Sequence, residues 1–388
     1  MEESTEGRRS QRGVQAGAGA HGLQGGAIQH VDRPQESLVP RPAAERFGNF
    51  EGRPPFLTDL HLWPRVAIES PTVRIYFVSD IHGSTRCWRK FLAAPKFYEA
   101  DVIIVGGDIT GKFIVPVIRQ PDSTWLTKLH GVEKHLTSEA EVEAYKGQVA
   151  DAGSYTFETT PAEYERCMGD QLAIDALFMR LVQDRVAEWV RLADERLSGS
   201  GVQCLVSGGN DDFPEIDQVL AASRSIQVPE GRLVVLDQQF ELVGLGYANL
   251  TPWHCPRDIT EDDLGAKLQA LADQVANMER AIFDVHVPPY GSGLDSAPQL
   301  DANLKVVMSA SGEIQMVPVG STAVRDAILK YQPMLALHGH VHESRGIRRL
   351  ENTTIVNPGS SYQEGVLHGA MINLDRNKGV RSSQLVVG

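Results

Sequence analysis

Leu337-His338-Gly339-His340-Val341-His342 follows the apolar run Met334-Leu335-Ala336-Leu337, and its reading decides the fold. Alternate residues of an extended chain share a face. A short strand ending in Gly-His-x-His therefore sends the imidazoles of His340 and His342 to one side, while Gly339 lets the backbone turn sharply beneath them. Imidazole is the commonest side-chain ligand for metals, yet a turn carrying two solvated histidines would read the same way. The rest of the chain separates the two readings.

Working outward, four more apolar runs end in residues of ligand type. Val73-Arg-Ile-Tyr-Phe-Val-Ser-Asp80-Ile-His82-Gly83 places a carboxylate and an imidazole two apart at a strand end. Asp101-Val-Ile-Ile-Val-Gly-Gly107-Asp108 ends in a carboxylate, and Val202-Gln-Cys-Leu-Val-Ser-Gly-Gly209-Asn210-Asp211-Asp212 in an amide and two more carboxylates. Ala281-Ile-Phe-Asp-Val-His286 ends in an imidazole. Short apolar runs bounded by glycine predict strands buried on both faces of an α/β sheet. Ligands of such sheets gather beyond the carboxyl ends of the strands. Taken singly, each residue has a bland alternative: Asp80 as the cap of a helix starting near Ser84, Asp108 and Asn210 as turn residues, His286 as a core histidine before Pro288-Pro289. Five strand ends all carrying Asp, Asn or His exceed what packing requires.

The order Asp-x-His, Gly-Gly-Asp, Gly-Asn, His, Gly-His-x-His resembles the calcineurin-like metallophosphoesterase superfamily over residues 74–388. The resemblance implies an α/β sandwich of two sheets flanked by helices, with a dinuclear metal site at the strand C-terminal rim. It implies that Asp80, His82 and His342 hold one ion, that Asn210, His286 and His340 hold the other, and that Asp108 bridges both. The mixed oxygen and nitrogen set suits two divalent ions of Mn, Fe or Zn and does not choose among them. The implied activity is hydrolysis of a small phosphate monoester or diester through a metal-bound hydroxide. Two other functions stay open: a non-catalytic protein-binding scaffold on this fold, and a nuclease or protein phosphatase.

One position departs from the family pattern. Where those enzymes carry Gly-Asn-His, with a histidine that helps the departing oxygen, this chain has Asn210 followed by Asp211. A carboxylate near two cations stays ionised and makes a poor general acid, a loss typically of about 10²–10⁴-fold. Aryl phosphates and activated diesters are then expected to be better substrates than alkyl monoesters. His254, in Thr251-Pro-Trp-His254-Cys, is the candidate replacement acid, against the plainer reading of a loop residue beside Trp253. Tyr290 and Ser292, beyond His286, and Arg345, beyond His342, are candidate substrate contacts, as is Asn210. Arg345 either holds a phosphate bidentately or pairs with Glu343, and Lys112, four residues after Asp108, carries the same ambiguity.

A chain of 388 residues buries a large core, and its net charge of −13 counts against a broad nucleic-acid footprint. It excludes no phosphate substrate, since divalent cations reverse the sign locally. No apolar run approaches the roughly 18 residues of a membrane span. Cys87, Cys167, Cys204 and Cys255 are scattered without paired spacing, as expected of reduced thiols in a cytoplasmic protein. Residues 1–55 are polar, lack the apolar stretch of a signal peptide and are expected to be a disordered tail. Residues 57–68, with Trp63, form a lead-in to a phosphoesterase domain spanning 56–388. Within it, 122–161 is longer than a connection needs and reads either as a cap on the metal rim or as a peripheral decoration, preceded by an edge strand over 113–118 marked by Pro116. Residues 169–197 and 262–278 carry helical apolar spacing; 232–236 and 240–246 read as a hairpin, and 353–360 and 366–374 as closing strands.

Overall fold

Val73, Ile75 and Phe77 point to one side of their strand, and Tyr76 and Val78 to the other, yet all five are buried. The computed structural model shows why. It describes residues 72–129 and 131–388; the expected tail 1–55 and lead-in 57–68 lie outside the described residues. Strand Thr72–Val78 is internal to a six-stranded sheet in the order Gly379–Val387, His368–Asp375, Thr72–Val78, Val102–Gly106, Gln203–Ser207, Ile226–Gln227. A second six-stranded sheet runs Gly346–Leu350, Thr353–Asn357, Leu335–Leu337, Ala281–Val285, Phe240–Leu245, Leu233–Leu236.

The sheets face one another through an interior of Val73, Ile75, Phe77, Ile104, Leu205, Leu242, Ile282, Leu337 and Val356. The outer face of the first sheet is covered by helices Thr85–Tyr98 and Gln171–Leu197, with Trp88 stacked on Trp189 at 4.9 Å between centroids. Helices Glu261–Ala272 and Thr322–Tyr331 cover the second through Leu264, Leu268, Val324 and Ile328. Burial on both faces is what the unbroken apolar runs required, each such side chain contributing roughly 1.5–3 kcal/mol. The architecture is the helix-flanked two-sheet sandwich expected from the sequence. Among the described residues no helix is long and apolar enough to cross a membrane, and all four cysteines are free.

Thr72–Val78, Val102–Gly106 and Gln203–Ser207 are mutually parallel, as are Phe240–Leu245, Ala281–Val285, Leu335–Leu337 and Thr353–Asn357. Three carboxyl ends of the first group and two of the second carry the ligand-type residues.

Three expectations are corrected. Pro116 does not mark an edge: strand Ile114–Arg119 lies inside a four-stranded sheet, between Trp125–Leu129 and Tyr155–Thr159. Proline is tolerated there because the antiparallel pairing begins only at Val117, so Pro116 has a ladder partner on one side, Phe157. Helix Glu139–Asp151 packs on this small sheet through Val142, Tyr145 and Val149. The helix expected over 262–278 stops at Ala272, because Glu241 accepts from Ala276 N–H and Asn277 N–H and draws the chain out of helical register. The chain closes with three strands, not two: Gly379–Val387 returns antiparallel to His368–Asp375, a polar strand whose alternation is weak.

Candidate metal centre

Ser84, not Asp80, caps helix Thr85–Tyr98: its Oγ accepts from Cys87 N–H. Asp80 is left to turn inward, where its carboxylate accepts from His340 N–H at 3.0 Å and binds the Gly-His-x-His turn to the first sheet. Asn357 supports that turn from below, its amide donating to the carbonyls of Gly339 and Val341 at 3.2 and 2.9 Å. Asp80, His82, Asp108 and His340 all sit in the left-handed region, with φ of 56°, 37°, 49° and 66°. Such backbone is costly for non-glycine residues and concentrates at functional sites.

The side chains so delivered converge. Ligand atoms of Asp80, His82 and His342 lie within 4.8 Å of one another, as do those of Asp108, His286 and His340. Asp108 faces both sets: one oxygen is 3.6 Å from His82 Nε2 and the other 3.3 Å from His286 Nε2. His82 Nε2 and His342 Nε2 approach to 3.1 Å, and His340 Nδ1 and Asn210 Oδ1 to 2.9 Å. His286 Nδ1 donates to Gly106 O at 2.8 Å, which aims Nε2 at Asp108 with no hydrogen-bond partner of its own. All seven sequence-derived ligand candidates therefore gather at one rim.

This arrangement fits divalent cations. A buried, unpartnered imidazole nitrogen, two imidazole nitrogens facing each other and two carboxylates form a donor set that leaves lone pairs directed at common points. The cradle is cut to size by glycine. A Cβ on Gly107 would lie 2.3 Å from His286 Nδ1, one on Gly209 2.2 Å from Asp108 Oδ1, and one on Gly339 2.4 Å from Asp80 Oδ2. Protonation shows the same negative balance. Burial alone would lower His286, but Asp108 and Asp80 push it up to about 10. Burial also opposes protonation of His342, and Asp80 outweighs it. Burial would raise Asp80, whereas His342 holds it below the ordinary carboxylate range. Without cations, protons on imidazole supply the positive charge the carboxylates demand, and metal uptake releases them.

Residues behind the ligands orient them. Asn210 Nδ2 donates to Asp258 Oδ1 at 3.0 Å, so the amide oxygen faces His340. Arg257, 1 % exposed, donates to the carbonyls of Asp212 and Phe213 and pairs with Asp217 at 2.8 Å, clamping the Asn210 loop. Asp212 is fully buried and joins that loop to the Asp108 loop, accepting from Ile109, Thr110 and Gly209 N–H. Tyr362 packs on His82 with 4.8 Å between centroids. Asp258, Arg257 and Tyr362 were not singled out in the sequence, because each works through a partner distant along the chain, and Asp212 was visible there only as a second carboxylate after Asn210.

The remaining candidates divide. Asp211 is at the rim, within 4.8 Å of His82 and Asp108, and pairs with Lys112. Burial would raise its carboxyl, but Lys112 holds it below the ordinary range; Asp211 reciprocally raises Lys112 against burial. From the Thr251 loop it is Cys255, not His254, that reaches Asp211, with Sγ 2.8 Å from its carboxylate; His254 is exposed and outside the converging groups. Arg345 donates to Val386 O at 2.9 Å and forms no ion pair with Glu343 among the described residues. Tyr290 is 42 % exposed and bonds through its backbone, to Ser321 and Arg325, while Ser292 Oγ caps Leu294 N–H.

No protein-family model matches the chain. A curated relative, an uncharacterized protein of Methanocaldococcus jannaschii, is 29% identical over 159 residues, which span 40% of this chain and 64% of that one. Among solved structures, the protein TT1561 of Thermus thermophilus aligns over 82% of this chain and 98% of its own at 15% identity, with a TM-score of 0.43. A novel archaeal phosphodiesterase aligns over 81% and 100% at 10% identity, TM-score 0.30. The phosphoesterase YfcE of E. coli aligns over 80% and 98% at 12% identity, TM-score 0.26. At such scores the likeness is one of outline, and the reading of the site rests on its own geometry. In motif order, in its paired sheets and in the residues gathered at their rim, the chain resembles the calcineurin-like metallophosphoesterases.

Proposed function

We propose that this chain is a hydrolase of small phosphate monoesters or diesters, working with two divalent cations of the Mn, Fe or Zn type. The observation that carries the proposal is the position of Asp108, whose two oxygens face two separate groups of ligand atoms. Asp80, His82 and His342 would hold one cation, Asn210, His286 and His340 the other, and Asp108 both. The cations would supply charge neutralisation of the phosphoryl oxygens and a nucleophile usable near neutral pH.

The chain's own residues set the rest of the chemistry. Asp258 and Arg257 hold Asn210 with its oxygen inward; Gly106 O holds the tautomer of His286. Asp211 stays ionised beside Lys112 and cannot donate a proton to the departing oxygen. Leaving groups that are already weak bases are therefore favoured, so aryl phosphates and activated diesters should turn over faster than alkyl monoesters. The insertion 122–161 is proposed as a cap on this rim, supported by the contact of Asp151 O with Ser84 Oγ at 2.6 Å. A cytoplasmic location is proposed on the four free thiols.

Metal analysis of the purified full-length protein, followed by turnover of a chromogenic aryl phosphodiester with and without Mn²⁺, tests the proposal. Metal-dependent turnover that is lost in Asp108→Ala is expected. Tight metal uptake with no turnover of any ester would overturn it in favour of a binding scaffold.

A further inference from the structure

The turn Ile109-Thr-Gly-Lys112 is fixed by the insertion. Gly111 N–H donates to Tyr155 Oη at 2.8 Å in a buried contact, and a Cβ on Gly111 would lie 1.9 Å from Gly153 O. Gly153 in turn packs so closely on His82 that its own Cβ would be 2.2 Å from His82 O. Three stretches of backbone thus meet with no side chain between them, and Lys112 follows directly on this junction. Its ammonium pairs with Asp211, while 44% of the side chain stays exposed. Asp211 itself lies within 4.8 Å of the ligand atoms of His82 and Asp108, so the ammonium paired with it stands beside the metal rim and not on a remote surface.

An ammonium has three donors. Asp211 is the one acceptor that holds Lys112 among the described residues, so donors remain for a ligand. Asp211 by itself would repel an anionic ester, and Lys112 offsets that charge at the point of entry. Resting on the phosphoesterase reading, we propose that Lys112 contacts the phosphoryl oxygens of the substrate directly, and that the Gly153–Tyr155 end of the insertion positions it to do so. The substrate class is then an ester whose phosphoryl group is anionic and presents a free oxygen toward the Lys112 side of the rim.

The test uses full-length protein loaded with Mn²⁺ and inorganic phosphate as the probe, with binding followed by titration calorimetry and metal content by elemental analysis. Lys112→Ala should weaken phosphate binding by about 10–100-fold, the range for a hydrogen bond between charged groups, at unchanged metal content. Lys112→Arg should recover part of the loss. Asp211→Asn separates contact from mere counter-charge. In that background, removing Lys112 should still weaken binding; equal binding by Asp211→Asn and the double variant would make Lys112 only a partner of Asp211 and overturn the proposal. Equal binding by wild type and Lys112→Ala would overturn it too, leaving the phosphoesterase reading intact. Failure of the wild type to take up metal or phosphate would overturn both.

Discussion

Asp212→Asn is the most informative perturbation of the site that touches no ligand directly. The Asp212 carboxylate is fully buried; Oδ2 accepts from Ile109 N–H at 2.9 Å and Gly209 N–H at 2.8 Å, and Oδ1 from Thr110 N–H at 2.9 Å and from the Thr110 hydroxyl. Asparagine has the same shape but only one acceptor oxygen. Its better orientation keeps that oxygen on Ile109 and Gly209 and turns the amide nitrogen toward Thr110, whose hydroxyl can reverse and accept. Thr110 N–H cannot, and it is left buried and opposed by another donor. One charge-assisted bond is lost and the others weaken, a cost of about 2–4 kcal/mol. For a chain of this size the melting temperature should fall on the order of 3–6 °C. Because the bonds join the Asp108 loop to the Asn210 loop, metal affinity should also fall by about 10–100-fold, as for other groups that orient ligands. Thr110→Val, which removes only the hydroxyl bond, should show the same effects at about 1 kcal/mol. Thermal melts of the chelated protein and calorimetric metal titration measure both. An Asp212→Asn protein that melts and binds metal like wild type would refute the reasoning.

Two further perturbations follow from the same geometry. Gly339→Ala would bring a methyl 1.9 Å from Ser79 Oγ and 2.4 Å from Asp80 Oδ2, so metal content measured after dialysis should drop sharply although the change adds only one carbon. In the chelated protein, burial holds both His82 and His338 down to about 4. These imidazoles are neutral when folded and take up protons near their ordinary value of about 6.5 when unfolded, so between those pH values the unfolded state binds more protons and stability rises with pH. Melting temperature should therefore fall as pH drops from 6.5 toward 4, and His338→Gln should flatten part of that slope; an unchanged slope would contradict the burial assigned to His338.

Much of this molecule was legible before folding was considered. Strands buried on both faces are apolar at nearly every position, so Val102–Gly106, and Ala281–Val285 with Asp284 as its one polar residue, announce themselves as runs, and the residue that ends each run falls at the rim by the geometry of a parallel sheet. Glycines at 107, 209 and 339 were visible as punctuation; that each clears space for a neighbouring ligand became apparent only in three dimensions. The local chain also determined that two ligands follow Leu337 on a single turn.

Which side chains act together was decided by tertiary structure alone. His82 and His342 lie 260 positions apart and meet because the two sheets are stacked with their carboxyl ends aligned. Asp258 orients Asn210 across 48 positions, and Lys112 reaches Asp211 because the insertion holds its turn. The Thr251 loop offered His254 by residue type, but its path brings Cys255 to the site. Local periodicity reports what each segment must bury; the partner of a side chain depends on sheet order and loop path, which no spacing along the chain encodes.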